Sequence, residues 1–280
     1  MDNLGHLDIP NCRVLSKISH PKQRNDTWLV RCGGQDAIAK RYRLLSTRSV
    51  SELCTFESQL RSGGVLAPEL VYRSTHAPLV VHKAVPGRHI TDPTVDMVTD
   101  CARTFAAQLL ALRGTRASWA PTRPKGLPRR GRSALEAGPD PIVRALITNS
   151  WQDIADRASG VPSGSHADWR ADNLLFAGNR LVAVLDWEDL ISVPAAEAVG
   201  YAAAALTHSW RDEIYAPVTL DPIEVFLSCA TECGVLTPQS IGQARAAALY
   251  SAAVRLAEDQ ARGVAVTTGR ELCKALRAAP

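Results

Sequence analysis

Two patterns of apolar and polar positions divide the sequence at about residue 86. Before it, apolar residues fall in short runs bounded by glycine, proline or serine, which is typical of β-strands. Gly33 and Gly34 lie between the first two runs and predict a hairpin. Residues 46–64 predict one helix, because their apolar positions have helical spacing between a capping serine and two glycines. The strand-like runs cover residues 27–32, 35–44, 69–74 and 78–85.

After residue 86 the apolar positions follow a helical period, and alanine becomes frequent. The exception is residues 173–187, where two apolar runs flank Gly178 and Asn179 and predict a second hairpin. We therefore expect an α+β fold with a small β-rich lobe over 1–85 and a larger, mainly helical lobe over 86–280. The predicted helices cover residues 96–114, 140–159, 195–210, 222–234 and 238–263.

Composition narrows the class of protein. A hydrophobic content of 46% over 280 residues is enough for a substantial core. No apolar run approaches the roughly 18 residues that cross a membrane, and the N-terminus lacks the pattern of a secretory signal. The seven cysteines are odd in number and include no C-x-x-C pair, which predicts free thiols in a reducing cytoplasm.

Positive charge is concentrated in residues 113–132, which carry seven basic residues and no acidic one. The segment is also rich in proline and glycine, so we expect a loop. Two interpretations stay open: a solvated surface loop, or a rim that attracts a phosphate-bearing ligand. Trp119 is its single aromatic residue, which argues against binding to nucleic acid because stacking platforms need several.

Three oxygen-bearing side chains lie around the second predicted hairpin. Pairing of its strands would bring Asn173 and Asp186 together at the open end, where amide and carboxylate oxygens suit Mg²⁺. Asp168, five residues before Asn173, would lie beside the cation and be able to receive a hydroxyl proton. This arrangement is the one that a phosphoryl transferase needs. The alternative for all three residues is turn formation and capping.

These residues carry a family resemblance. The stretch "HADWRADN" resembles H-x-D-x-x-x-x-N, the catalytic loop of protein kinases and of the aminoglycoside phosphotransferase and choline kinase group, and "LDWED" resembles that group's metal-binding segment. The resemblance implies a two-lobed, protein-kinase-like fold with a catalytic hairpin in the helical lobe. It also implies that Asp168 is the catalytic base, that Asn173 and Asp186 hold Mg²⁺, and that Arg170 reaches the γ-phosphate.

The same resemblance extends to the first lobe. Lys40 matches the strand lysine that contacts the α- and β-phosphates of ATP, with GTP as the alternative nucleotide. Glu57 would be its partner on the helix, with Glu52 as the substitute. Backbone groups from His82 to Ala84 would bind the adenine edge.

The implied reaction is transfer of a phosphoryl group from ATP to a hydroxyl of a small molecule, with an antibiotic as the favoured acceptor. We favour a nucleoside or peptide antibiotic over an aminoglycoside, because a basic loop near the site would repel a polycation. Two alternatives stay open: a metabolic kinase of the choline, homoserine or sugar type, and a non-catalytic nucleotide-binding pseudokinase. The oligomeric state is unknown. Side chains expected to face the acceptor are Glu188, Asp189, Trp210, Asp212 and Glu213.

Overall fold

A computed structural model of the chain describes residues 9–19, 24–89, 93–115, 117–122, 126–157, 160–214, 222–263 and 273, without the side chains of 210–214. An antiparallel five-stranded sheet is followed by a mainly helical region, which confirms the predicted α+β class. The strands are β1 (Cys12–Lys17), β2 (Asn25–Cys32), β3 (Gln35–Tyr42), β4 (Leu70–Arg73), β5 (Leu79–Lys83), β6 (Ser163–His166), β7 (Leu174–Ala177), β8 (Arg180–Val184) and β9 (Leu190–Val193). The helices are α1 (Thr47–Ser62), α2 (Val95–Ala111), α3 (Arg129–Glu136), α4 (Pro141–Asp156), α5 (Ala195–Ile214), α6 (Pro222–Glu232) and α7 (Pro238–Ala261).

The first sheet has the strand order β1-β2-β3-β5-β4. Its central hairpin, β2–β3, turns at Gly33 and Gly34, whose φ angles of 56° and 85° are both in the left-handed region. A two-residue turn of this kind follows the twist of the strands and favours glycine at both positions. The first predicted hairpin is therefore confirmed, and its register pairs Thr27 with Lys40.

Two hydrophobic clusters stabilise the molecule. A small one on the sheet includes Trp28, Val30 and Val81. The large one is continuous from α1 into the helical region and includes Phe56 and Phe105, so apolar burial does not stop at residue 86. The boundary at 85/86 thus stays an interpretation of the sequence pattern.

Helices α5 and α7 pack against each other in the helical region. Gly200 on α5 makes this approach possible, because a Cβ there would lie 2.1 Å from the carbonyl oxygen of Ala244 on α7. Substituting even alanine would push the two helices apart. Both helices also line a cavity of the candidate active site.

Two expectations are corrected by the structure. Cys12 and Cys32 face each other across β1 and β2 and form a disulfide, so the prediction of free thiols was wrong for this pair. The absence of a C-x-x-C pair did not exclude this disulfide, because its two cysteines meet through strand pairing and not through closeness in sequence. The basic segment is not a loop to its end, because Arg129–Glu136 forms α3. Within the described residues, no helix is both long enough and apolar enough to cross a bilayer.

Candidate active site

The second hairpin, β7–β8, brings two predicted site residues to one end. Leu174 pairs with Val184, and the N–H of Leu185 donates to the carbonyl oxygen of Asn173 at 2.8 Å. Asp186 is the next residue and has a φ of 59°, a left-handed conformation that aspartate tolerates better than most residues do. The predicted convergence of Asn173 and Asp186 at the hairpin mouth therefore rests on a direct backbone contact.

A buried histidine fixes the segment that carries Asp168. His166 ends β6, and its Nδ1 accepts the N–H of Asp168 at 3.2 Å. The other ring nitrogen, Nε2, lies 2.7 Å from the carbonyl oxygen of Leu185 and must donate to it. Burial lowers the pKa of His166, and the hydrogen bond to Leu185 offsets part of that shift. The neutral imidazole thus ties the Asp168 backbone to the residue before Asp186.

Asn173 holds Asp168 from the other side. Its Nδ2 donates to the Asp168 carbonyl oxygen at 2.8 Å and to Oδ2 at 3.1 Å. Burial raises the pKa of Asp168, and the charge of Arg170 offsets part of the rise. Oδ1, which lies 4.0 Å from Arg170 Nε, is the carboxylate oxygen left to meet a ligand. A partly desolvated carboxylate with a fixed orientation is suited to accept a proton.

Lys40, on β3, contacts two carboxylates of the segment after β8. Its Nζ donates to Oδ1 of Asp186 at 2.7 Å and also to Oε1 of Glu188. Burial alone would lower the pKa of Lys40, but the charges of Glu188 and Asp186 outweigh it, so the pKa is raised. Lys40 therefore carries its positive charge at the junction of sheet and hairpin.

The lysine–glutamate pair expected from the sequence is not the one in the structure. Glu57 on α1 accepts from His82 Nε2 at 2.9 Å, while Glu52 accepts from Arg48 and Ser118. Among the described residues, the salt bridges of Lys40 run to Asp186 and Glu188 instead. The helix register left both glutamates open as candidates, and packing assigns each of them another partner.

Two cavities meet at Asp168. The sheet-side cavity, of about 790 Å³, lies between the first sheet and the segment after β8. The helix-side cavity, of about 800 Å³, lies among α3, α5 and α7. Both are of the size usual for small-molecule sites, about 300–1,000 Å³. Predicted residues that line the sheet-side cavity are Lys40, Glu57, His82, Ala84, Asp168, Asp186, Glu188 and Asp189.

The segment expected to bind the adenine edge does border the sheet-side cavity, but its donors are partly engaged. The N–H of Lys83 donates to Glu69 and that of Ala84 donates to Asp36 at 3.1 Å. Val85 lines the same cavity, and its N–H has no backbone acceptor within the described chain. The available donor is thus one residue further along than the sequence suggested.

Of the five residues expected to face the acceptor, two line the sheet-side cavity and three have side chains outside the described residues. Glu188 binds Lys40 and accepts from Asn25 Nδ2 at 2.7 Å, and Asp189 pairs with Arg24 at 3.2 Å. Both carboxylates line the sheet-side cavity and not the helix-side one, because the backbone after Asp186 turns toward the sheet. The side chains of Trp210, Asp212 and Glu213 lie outside the described residues.

Arg170 lines the helix-side cavity only. Its Nε donates to Oδ1 of Asp172 at 3.1 Å and lies 4.0 Å from Asp168. The family resemblance implies that this arginine reaches the γ-phosphate of the nucleotide, and that role stays a prediction.

Most of the helix-side cavity was missed by the sequence interpretation. Its arginines are Arg129, Arg130, Arg132, Arg170 and Arg255. Its other polar or aromatic residues include Asp168, Glu197, Tyr201, His208 and Tyr250. The run of basic residues in 113–132 was the one sequence feature that pointed to this cavity. The residues from α5 and α7 that line it showed only the apolar period of a helix.

Asn173 and Asp186 each keep an oxygen for a cation. The Asn173 amide nitrogen is taken up by Asp168, so its Oδ1 remains, and Asp186 gives Oδ1 to Lys40 and keeps Oδ2. One amide oxygen and one carboxylate oxygen fit Mg²⁺, which takes oxygen ligands and retains waters or phosphates. Asn173 is buried and does not itself line the sheet-side cavity. Nowhere in the described chain is a cluster of three or more His, Cys, Asp or Glu arranged to hold a metal.

Comparison with protein-family models identifies the family of the chain. Residues 17–221 match the model of the phosphotransferase enzyme family, which is more than half of the 280 residues. The chain belongs to that family. The enzyme is accordingly a phosphotransferase that acts on small-molecule hydroxyls, and its fold is the kinase-like one that the catalytic-loop motif implied.

Solved structures similar to this phosphotransferase span several substrates. The aminoglycoside phosphotransferase APH(4)-Ia in complex with ADP and hygromycin B is 14% identical, covers 94% of this chain and 92% of its own, and has a TM-score of 0.57. Macrolide 2'-phosphotransferase MphH from Brachybacterium faecium is 19% identical over 95% and 92%, with a TM-score of 0.59. Choline kinase LicA from Streptococcus pneumoniae is 14% identical over 95% and 92%, with a TM-score of 0.56. The comparison with curated proteins gave no match.

Proposed function

We propose that this phosphotransferase transfers the γ-phosphoryl group of ATP to a hydroxyl of a neutral or weakly charged small molecule, with an antibiotic as the favoured acceptor. Inactivation of that antibiotic would be its biological effect. We further propose a cytoplasmic location, because the reaction consumes ATP.

The observation that carries this proposal is the place of Asp168 between two cavities of similar volume. A phosphoryl transferase must bind a nucleotide and an acceptor on opposite sides of the reacting phosphorus atom. Lys40, whose charge suits it to bind phosphate, lines the sheet-side cavity, which we assign to ATP. The helix-side cavity then receives the acceptor.

The roles of the site residues follow from their contacts. Asp168 Oδ1 accepts the proton of the acceptor hydroxyl while Asn173 holds Oδ2. His166 fixes the backbone of Asp168, and Lys40 binds the phosphates once ATP draws it from Asp186. Asp168 carries the chemistry, and the other three residues position it or the nucleotide.

ATP and Mg²⁺ are the proposed co-substrate and metal. Support for ATP comes from the similar phosphotransferase structure that contains ADP and from another that contains AMP-PNP. Asn173 and Asp186 would hold the cation through the two oxygens that remain available. When bound, Mg²⁺ neutralises charge on the phosphates, which is the chemistry that it supplies in kinases.

The charge of the helix-side cavity supports the choice of acceptor. Among its described lining residues are five arginines against two acidic residues, Asp168 and Glu197. A polycationic aminoglycoside would meet like charge there, whereas a nucleoside or peptide antibiotic would not. Aromatic side chains such as Tyr201 and Trp151 also line it and suit an acceptor with flat apolar parts.

A metabolic kinase is the second candidate. It is supported by the structural similarity to choline kinase LicA, at 14% identity. The same arginines oppose choline, which is a cation, more than they oppose homoserine or a sugar. A non-catalytic role is less well supported, because Asp168, Asn173 and Asp186 are all retained.

The test is an acceptor screen with ATP and Mg²⁺ that measures ADP release. The panel holds nucleoside and peptide antibiotics, macrolides, aminoglycosides, choline, homoserine and sugars. Mass spectrometry and NMR then locate the phosphate on any product. We expect turnover with a neutral antibiotic and its loss in Asp168→Asn, while the neighbouring control Asp172→Asn stays active. Turnover only with choline, homoserine or a sugar would select the metabolic kinase, and a wild type that does not bind ATP would overturn the proposal.

A further inference from the structure

Arg130 lies where the two cavities meet. Of the described residues, Ala167, Asp168 and Arg130 line both the sheet-side and the helix-side cavity. Ala167 has no polar side-chain atom, so Arg130 is the cationic counterpart of Asp168 at this junction. By contrast, Lys40 lines only the sheet-side cavity and Arg170 only the helix-side one.

A carboxylate on α7 holds Arg130 in this position. Glu258 accepts from Nε at 2.6 Å and from Nη2 at 2.7 Å, a bidentate geometry that fixes the plane of the guanidinium. The backbone of α3 is docked against α7 as well. A Cβ at Gly131 would lie 2.3 Å from Tyr250 Oη, so glycine allows this close approach. The orientation of Arg130 is therefore set by the structure even though 60% of its side chain is exposed.

The guanidinium still has donors to offer. It carries five N–H bonds, and Glu258 takes one from each of two nitrogens. Nη1 makes no hydrogen bond within the described part of the chain. An arginine held on one edge and open on the other is suited to bind phosphate oxygens.

We propose that Arg130 is a catalytic residue that donates hydrogen bonds to the γ-phosphoryl group during its transfer, and that Glu258 is the positioning residue that aims it. This inference rests on the proposed function, because it needs ATP in the sheet-side cavity. In the step, the acceptor oxygen bonds to the γ-phosphorus atom while the bond to the β–γ bridging oxygen breaks, releasing ADP. The hydroxyl proton passes to Asp168, and Arg130 exchanges no proton.

Nucleotide binding tests the contact without any acceptor. Titration calorimetry with Mg²⁺ compares ADP, which lacks the γ-phosphate, with AMP-PNP, which has a γ-phosphoryl group. In Arg130→Met we expect AMP-PNP to bind about tenfold more weakly and ADP to bind as in the wild type. Arg132→Met is the matched control: it removes the same charge from the same helix, but Arg132 lines only the helix-side cavity. Its ratio of AMP-PNP to ADP affinity should equal that of the wild type.

Kinetics with the acceptor from the screen complete the test. Arg130→Met should lower kcat about 100-fold with little change in the KM for the acceptor, because the contact forms on the moving group. Arg130→Lys should recover only part of kcat, since lysine cannot bind Glu258 and phosphate in the same geometry. Glu258→Gln should lower kcat by a smaller factor.

The outcomes separate the two proposals. A wild type that binds neither nucleotide would contradict both the proposed function and the role of Arg130. A wild type that binds both nucleotides and turns over, combined with an Arg130→Met variant that matches the wild type in affinity ratio and kcat, would overturn the role of Arg130 alone.

Discussion

The ammonium nitrogen of Lys40 lies 2.7 Å from Oδ1 of Asp186, so the residue proposed for the phosphates contacts the residue proposed for the metal. Glu188 completes the cluster as a second carboxylate on the same ammonium. When Mg²⁺ and ATP bind, this contact would be replaced by one from Lys40 to phosphate. Until then, Lys40 is the cation that keeps two neighbouring carboxylates from repelling each other.

Removing that cation should destabilise the free enzyme. Lys40→Met leaves the carboxylates of Asp186 and Glu188 without their shared cation, and we expect the free energy of unfolding to fall by about 1–3 kcal/mol. Urea unfolding of the nucleotide-free protein measures the loss. The double variant with Glu188→Gln should recover part of it.

A surface pair provides the control for this prediction. Lys17 pairs with Asp26 at 2.8 Å and has 43% of its side chain exposed. Lys17→Met should therefore cost less than about 1 kcal/mol. Equal losses in the two lysine variants would contradict the view that the Lys40 cluster is special.

The ionised carboxylate of Asp168 should lower the stability of the fold while it serves the reaction. Burial raises the pKa of this carboxyl in the folded state, so the folded protein binds the proton more tightly than the unfolded chain does. Its ionised form at neutral pH therefore lowers the free energy of unfolding. This destabilisation disappears at a pH below the ordinary pKa of aspartate. We expect Asp168→Asn to lower kcat by about 100- to 10,000-fold. We also expect it to raise the Tm at neutral pH by about 1–2 °C.

Thermal unfolding at two pH values checks the second half of that expectation. The gain in Tm should shrink as the pH falls through the pKa of Asp168. Asp172→Asn, which changes an exposed neighbour, should show no such gain. A lower Tm for Asp168→Asn at neutral pH would show that the carboxylate stabilises the fold.

Arg170 should set the acid limit of activity. Its charge lowers the pKa of Asp168 against the effect of burial. Because Asp168 must be ionised to accept a proton, kcat/KM should fall as pH decreases through that pKa. Arg170→Ala removes the opposing charge and should move the acid limb to higher pH. Arg180 lines neither of the two cavities, so Arg180→Ala should leave the acid limb in place. If Arg170→Ala also leaves it in place, the charge of Arg170 does not affect the pKa of Asp168.

Local chemistry made the hairpins predictable. Gly33 and Gly34 supply two consecutive positive φ angles, and such a turn admits few other residues. The convergence of Asn173 with Asp186 followed from strand pairing alone, because a register error would expose the apolar face of the hairpin. The catalytic-loop spacing around Asp168 likewise lies within eight consecutive residues.

Long-range contacts were not predictable. The partner of Lys40 lies 146 residues away, and nothing in the local pattern distinguishes it from Glu57 or Glu52. Arg130 lies in a segment rich in proline and glycine, where a helix of eight residues leaves a weak signal. Its charge was visible in the sequence, but its place at the junction depends on the docking of α3 on α7.

His166 provides the final prediction, because it bridges two segments of the site with a neutral ring. Its Nδ1 accepts from Asp168, and its Nε2 donates to Leu185. Since burial lowers its folded pKa below that of the unfolded chain, its contribution to stability is complete above the unfolded pKa. That contribution is lost as pH falls through the folded pKa.

Replacing the ring removes both hydrogen bonds and this pH dependence. His166→Phe should lower the free energy of unfolding at neutral pH by about 1–3 kcal/mol, because a buried N–H and a carbonyl lose their partners. It should also reduce kcat, since the Asp168 backbone loses its anchor. The loss of stability between neutral pH and about pH 5 should be smaller in His166→Phe than in the wild type. Replacing His76, whose side chain lies outside the site, should change neither quantity. Parallel pH profiles for wild type and His166→Phe would show that the buried imidazole does not govern acid stability.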